Sequence, residues 1–418
     1  MTAKAIPLCP LRKGFLDEIF LMKLLLYSHF FPPSVGGVES IVLSLARGLA
    51  ELSAADSSKT FDLTVLTLTP ANSFKDEELP FRVVRQPTTK QLRQWIRWAD
   101  IVHIAGASLA PIVWGLIIRR QVVIEHHAFQ AVCPTGQLFQ EPQNVPCPGH
   151  FMAGRHSNCL RCNQTPHLIR SFKLWLLTFV RRFLCSRVAL NIAPTAWLAS
   201  LLDLPRTEVI PHGLDASAAR VSFASLQQTP VLLFVGRLVS TKGVSVLLRA
   251  ARLLADRGHP FELVVIGDGP ERAALEEQAQ TAALTSQVKF LGSLSALEIE
   301  KYFAKANIIV VPSLAGEVFG LVVAENMLRG IPIVASKLGA FSEVLAETGR
   351  LFPIGDAVGL ASQIARLLEN PGEGADLAVA ARERVLDFFP LRRMIEAHAA
   401  AYRRVPQKWE GNASHDHE

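Results

Sequence analysis

The sequence predicts an α/β chain built from two doubly wound parallel sheets, on three observations. Its strand candidates are apolar from end to end, as strands covered on both faces are. They alternate with segments of helical period. The alternation fades near residue 214 and restarts at Val231. In order, the first half reads as a strand at 22–28, a proline-bearing loop at 29–37, and a helix with Val38, Ile41, Val42, Leu45 and Leu49 on one face. Strands follow at 63–68, 101–104 and 122–124, then a segment at 128–166 rich in Cys, Pro, Gly, Gln and Asn. A helix at 167–187, a strand at 188–193 and a helix capped by Thr195 complete this half. The second half reads as strands at 231–235, 261–266, 288–291, 308–311 and 331–335. Its helices fall at 243–255, 271–283, 295–305 and 320–329.

The expected organisation is a leader or mis-assigned start at 1–21, with Met22 as a natural start. A first domain spans 22–214 with the insert 128–166, and a linker 215–230 follows. A second domain spans 231–390, a helix at 391–405 is placed to return to the first half, and a polar tail runs from 406 to 418. Such sheets bind ligands beyond the carboxyl ends of their strands, so the cleft between two of them is the expected site.

Composition narrows the function classes. Of the 418 residues, 50% are hydrophobic and 19% charged, which excludes disorder for most of the chain. No uninterrupted apolar run reaches the length of a membrane span, and no continuous apolar centre marks a secretory signal at the start. A net charge of +6 suits an anionic substrate or an anionic membrane face and is too diffuse to argue for nucleic acid.

Five segments, most of them loops at strand ends, carry the candidate chemistry. After the strand ending at Val311 comes Glu317, then a helix opening near Gly320, with Glu325 further along it. Gly320 leaves the helix N-terminus unobstructed, so the N–H groups near Leu321 and Val322 are free to bind phosphate. After the first strand of the second half, Gly236-Arg237 and Lys242-Gly243 set a guanidinium and an ammonium in a glycine-framed turn suited to a diphosphate. Gly267-Asp268-Gly269-Pro270 lacks the third glycine of a dinucleotide fingerprint and reads as packing on the nucleotide side. In the first half, Gly36-Gly37 allows close backbone approach across the cleft. In the insert, Cys133, Cys147, Cys159 and Cys162 form C-x13-C-x11-C-x2-C, a set that suits a structural zinc ion. Iron–sulfur is an alternative, and His150 or His156 are alternative ligands.

Together these motifs resemble glycosyltransferase family 4, with its two-domain GT-B fold. The resemblance runs from about Met22 to about Arg404 and includes the Gly339-to-Glu343 segment. It extends to a subgroup with a cysteine-bearing insert after a histidine. The resemblance implies a retaining hexosyltransferase that uses a nucleotide-diphosphate sugar and a saccharide or lipid-linked acceptor in cell-envelope or polysaccharide synthesis. It implies that Arg237 and Lys242 hold the diphosphate, Glu317 the donor sugar and Glu325 the ribose. Gly36, Gly37, Gly267, Gly320 and Leu321 complete the donor site. His127 would face the sugar, with His126 as the alternative. Ala128 and Asn326 depart from the family's usual Asp and Ala. Charge stabilisation by the two cations and the helix needs no catalytic metal. The expected location is cytoplasmic and peripheral at the inner membrane face. Two other readings are a nucleotide-sugar epimerase of the same fold and a non-catalytic nucleotide-sugar-binding protein; the products formed separate all three.

The helix at 167–187 has two readings. Five Lys or Arg and no acid fall in 165–190, among many large apolar residues. It is either a core helix with a basic outer face or an amphipathic helix for an anionic membrane surface.

Overall fold

A computed structural model describes residues 21–55, 61–141, 143–162, 168–218 and 229–405. The expected leader apart from Leu21, the centre of the linker and the polar tail lie outside the described residues.

The first half is a seven-stranded, wholly parallel sheet. Its strands are β1 (Met22–Ser28), β2 (Phe61–Thr67), β3 (Arg82–Arg85), β4 (Ile101–Ala105), β5 (Gln121–Glu125), β8 (Leu190–Ala193) and β9 (Thr207–Val209), in the order β3-β2-β1-β4-β5-β8-β9. A two-stranded hairpin, β6 (Phe139–Gln140) and β7 (Val145–Pro146), sits in the insert. The helices of this half are α1 (Gly37–Ala55), α2 (Thr89–Trp98), α3 (Leu109–Ile117), α4 (His156–Arg161), α5 (Leu168–Cys185) and α6 (Ala196–Leu202).

A six-stranded parallel sheet forms the second half. It comprises β10 (Val231–Val235), β11 (Glu262–Ile266), β12 (Val288–Gly292), β13 (Ile308–Val311), β14 (Ile333–Ser336) and β15 (Arg350–Phe352), ordered β12-β11-β10-β13-β14-β15. Its helices are α7 (Val244–Asp256), α8 (Arg272–Thr281), α9 (Ala296–Phe303), α10 (Leu321–Arg329), α11 (Gly339–Leu345), α12 (Ala357–Glu369) and α13 (Pro371–Phe388).

Both sheets reverse direction of build at their first strand. The switch points are β1/β4 in the first half and β10/β13 in the second. Loops after these four strands therefore diverge and leave a crevice, where ligands bind in doubly wound sheets. Each sheet buries apolar side chains on both faces, giving four core clusters. That is why β10 and β13 read as uninterrupted apolar runs.

The strand β3 and the helix α2 were not singled out from the sequence. β3 is short, begins and ends with Arg, and has no buried residue, as suits a sheet edge. α2 is set by a capping box between Thr88 and Gln91. The strand expected at 331–335 starts at Ile333, because Pro332 brings no N–H to the ladder.

The last helix, α14 (Leu391–Arg404), lies on α1 of the first half, with Met394, Ile395, Ala399 and Tyr402 in the same cluster as Leu26, Leu45 and Val123. The chain thus crosses between halves at Leu214 and again at Pro390. The crossings are hydrogen-bonded to each other: the Leu214 N–H donates to the Phe389 carbonyl at 2.8 Å, and the Leu391 N–H to the Leu214 carbonyl at 2.9 Å. Helices α1 and α14 are brought close by Gly48, whose Cβ, if present, would stand 2.0 Å from Ile395 Cδ1. Gly48→Ala should therefore destabilise the chain by about 1–3 kcal/mol through overpacking. Adding Ile395→Ala should cost less than the sum of the two single changes, measured as a double-mutant cycle in urea.

Candidate active site

The loops after β10 and β13 are stitched into one surface. The Leu314 N–H donates to the Thr241 carbonyl at 2.7 Å. Gly243 takes φ +68°, and a Cβ there would lie 2.0 Å from the Pro312 carbonyl oxygen. On that surface Lys242 Nζ lies 2.5 Å from Glu317 Oε1, and the Ser313 hydroxyl donates to the same oxygen at 3.2 Å. The ammonium and the carboxylate are thus an ion pair. Arg237 is exposed beside them. Gly267 adopts φ +137°, and a Cβ on it would sit 1.8 Å from the Gly236 carbonyl oxygen. Its role in this geometry is to let the loop after β11 support Gly236 and Arg237.

Gly320 is the N-cap of α10 at φ +92°, and a Cβ would meet the Phe341 ring at 2.5 Å. Only glycine fits this conformation against that ring. The amides opening α10, at Leu321 and Val322, face the crevice end of the helix. Glu325 is exposed one turn on.

The first half meets this surface directly. A Cβ on Gly37 would stand 2.9 Å from Leu321 Cδ1, so the Gly36-Gly37 loop abuts the start of α10. Behind it Glu39, absent from the sequence reading, accepts a hydrogen bond from the Ser34 hydroxyl at 2.8 Å.

The two candidate histidines, just past the end of β5, part company. His126 turns into its own sheet, where Nε2 pairs with Asn191 Oδ1 at 2.9 Å. Burial lowers its pKa to about 4. His127 faces the other way and stacks on His212, with ring centroids 5.2 Å apart. His212 in turn contacts the Phe319 ring at 5.1 Å, from the second half. Below them lies Glu125, fully buried at the end of β5. Burial works against its ionisation, but the charge of His127 and contacts with His103, His127 and His398 outweigh that and hold the carboxyl well below the usual range. Glu125, His103, His212 and His398 were not singled out from sequence. The available signal was a carboxylate ending the apolar run Val122-Val123-Ile124.

Three further ties join the halves. The Glu343 carboxylate accepts from the backbone N–H of Ala196 and of Trp197, each at 2.8 Å, and so caps α6 across the cleft. The Thr195 hydroxyl donates to the Val318 carbonyl at 2.9 Å. Phe139 of the insert is 1% exposed within a core cluster whose other members, among them Leu238, Val244 and Leu314, belong to the second half.

The insert brings its four thiols to one pocket. Cys133, Cys147, Cys159 and Cys162 line it together with His150. The Cys162 thiol donates to the Phe139 carbonyl at 3.2 Å. Burial, reinforced by the neighbouring sulfurs, pushes Cys159 up to about 12 and Cys162 up to about 11. His156 is packed among the rings of Phe151, Trp175 and Phe179. Among the described residues, the group of three ligating side chains whose donor atoms lie within 4.8 Å of one another is Glu125, His127 and His212, and not the thiols.

Comparison with known proteins identifies this arrangement. A 2-deoxystreptamine glucosyltransferase of Streptomyces kanamyceticus is 30% identical over 391 residues, covering 87% of this chain and 98% of its own length. Residues 216–384 match the family described as "Glycosyl transferases group 1". The chain belongs to the group 1 glycosyl transferases. A GDP-mannose-dependent alpha-(1-6)-phosphatidylinositol monomannoside mannosyltransferase of Mycolicibacterium smegmatis is 25% identical over 381 residues, covering 87% of this chain and 94% of that protein. Among solved structures, Anabaena HepE in complex with UDP-glucose superposes with a TM-score of 0.70 at 20% identity, covering 91% of this chain and 99% of that one. Sucrose-phosphate synthase from Thermosynechococcus elongatus gives 0.69 at 21%, covering 91% and 98%. The fold is GT-B, and the two sheets of this glycosyltransferase are its two halves.

The tie through Glu343 generates a prediction. Glu343→Ala removes two charge-assisted hydrogen bonds and leaves two helix amides without partners, a loss of roughly 1–3 kcal/mol from the closed arrangement. Small-angle scattering should show a larger radius of gyration, and kcat/KM should fall about tenfold to a hundredfold.

Proposed function

We propose that this glycosyltransferase moves a sugar, with retention of configuration, from a nucleotide-diphosphate sugar to a saccharide or lipid-linked acceptor in cell-envelope or polysaccharide synthesis. The observation that carries the reading is that the loops after β10 and β13, which hold Lys242 and Glu317 and lead to Arg237's turn and to the start of α10, are joined at one switch point. The leaving group is a nucleoside diphosphate, so the site must stabilise negative charge as the glycosidic bond lengthens. Lys242 is held by Glu317 until the donor enters. A diphosphate would then recruit the ammonium, and Glu317 would be released toward hydroxyls of the donor sugar. Glu325 would take the ribose hydroxyls. In this scheme Glu317 is no nucleophile: the acceptor attacks the face the diphosphate leaves, and the departing phosphate oxygen takes the acceptor's proton. His127 would lie against the sugar from the first half, its ring fixed by His212 and Glu125.

Relatives that act on an aminocyclitol and on an inositol lipid support a polyhydroxylated acceptor. A membrane-borne acceptor is favoured by α5. Its Ile169, Phe172, Leu176, Phe179, Val180 and Phe183 follow helical spacing and are all exposed, with Arg170 and Lys173 beside them. Among the described residues no helix is long and apolar enough to cross a membrane, so α5 would lie on an anionic surface. A zinc ion at the four thiols would fit the pocket's chemistry and brace the hairpin that carries Phe139.

Two experiments test this. A thermal-shift panel of UDP-, GDP-, ADP- and dTDP-sugars should pick out one donor. With that donor, Arg237→Ala plus Lys242→Ala should lower kcat/KM by at least about a thousandfold. NMR of the product should show the donor's anomeric configuration; inversion, or a trapped glycosyl-Glu317 adduct, would refute the mechanism. Secondly, Phe172→Ser with Phe183→Ser should abolish sedimentation with vesicles rich in anionic lipid, while turnover of a water-soluble acceptor stays near wild type.

A further inference from the structure

Six buried polar atoms beneath the cleft have no hydrogen-bond partner: both oxygens of Glu125, Nε2 of His103, of His127 and of His398, and Nδ1 of His212. Buried polar atoms are paired in the great majority of cases; with Glu125 Oε2 and His103 Nε2 close enough to pair at 3.2 Å, the other four atoms at this point require a reason. They face one another. Glu125 Oε2 lies 3.2 Å from His103 Nε2, 3.4 Å from His127 Nε2 and 3.7 Å from His398 Nε2, while Oε1 lies 3.5 Å from His212 Nδ1. These separations are long for charge-assisted hydrogen bonds, which run at about 2.7–2.9 Å. The separations from Glu125 to His127 and to His212 are instead those of groups set around a common ion: ligands about 2.0–2.1 Å from a tetrahedral ion stand roughly 3.3 Å apart, and the donor atoms of Glu125, His127 and His212 all lie within 4.8 Å of one another.

The tautomers point the same way. His398 Nδ1 lies 2.9 Å from the Met394 carbonyl, which only accepts, so Nδ1 carries the hydrogen. In the neutral ring, Nε2 then aims a lone pair at a carboxylate oxygen. A positive charge near Glu125 relieves that opposition. His103 differs, since the Tyr402 hydroxyl at 2.9 Å from its Nδ1 can donate there and leave Nε2–H for Glu125.

We propose that Glu125, His127 and His212 form a binding site for a borderline divalent transition ion such as zinc, which locks the first half to the crossing segment beneath the cleft. Glu125 spans the ion with both oxygens, one beside His127 and the other beside His212. His103 and His398 surround the carboxylate. Two imidazoles and a carboxylate suit zinc and its neighbours better than calcium or magnesium. The ion would not touch the diphosphate; its place is to fix the His127 ring and to pin His212, which precedes the crossing at Leu214 by two residues. This inference does not rest on any donor or acceptor assignment.

The test uses the full chain, stripped by chelator and titrated with zinc and with cobalt. A thiolate site and a nitrogen–oxygen site are told apart by the intense sulfur-to-cobalt charge-transfer band that only the former shows. In a Cys159→Ser, Cys162→Ser variant, which removes the thiolate site, we expect about one equivalent of cobalt to remain, without that band and with a rise in thermal midpoint. Adding His212→Asn should abolish that equivalent. If the cysteine variant binds no cobalt, or if the equivalent survives His212→Asn, the proposal is overturned. A protonated imidazole beside Glu125 would then hold the charge.

Discussion

The chain passes between its halves at Leu214 and Pro390, and the two passages are hydrogen-bonded neighbours. Much of the architecture depends on that constraint. Two strands of backbone pinned together act as one short joint rather than two independent tethers. The joint is narrow because Gly213 has no side chain: a Cβ there would be 2.6 Å from Leu391 Cα. His212, one residue before Gly213, ties this joint to Glu125 of the first half and to Phe319 of the second.

Closure is sustained away from the joint by contacts of different kinds. Glu343 caps a helix of the opposite half, Gly37 lies against Leu321, and Phe139 enters the opposite core. The first is electrostatic and directional, the second steric, the third hydrophobic. A cap is lost once its partner moves beyond hydrogen-bond reach, whereas an apolar plug tolerates small sliding. The insert that carries Phe139 packs through Phe129, Ala131, Val132 and Cys133 against the first half.

Parts of the site were legible before any coordinates. Gly320, Gly243 and Gly236-Arg237 announced turns at strand ends, and turns at the carboxyl ends of parallel strands must face a common crevice. Lys242 and Glu317 were both named, yet as separate donor contacts; their direct pairing came from the folded loops. The choice between His126 and His127 came from the folded chain, because both lie past the end of β5, where pleating no longer sets which way a side chain points. Glu125 escaped notice because an acid at the end of an apolar strand reads as the strand's polar terminus. Glu39 escaped because an acid in a helix's first turn is ordinary.

By itself, then, the sequence determined the local matters: which runs form covered strands, where helices begin, which loops are glycine-framed and cationic, and that two similar α/β units follow one another. These depend on interactions between residues a few positions apart, and periodicity records them. Only the tertiary structure decided what meets across the molecule. Glu343 caps residues 146 and 147 positions away, and Tyr402 reaches His103 over 299. Nothing in the spacing of such residues encodes their contact, because the intervening chain must first be packed into two sheets and returned by α14. The convergence of four imidazoles on one carboxylate is a product of that return.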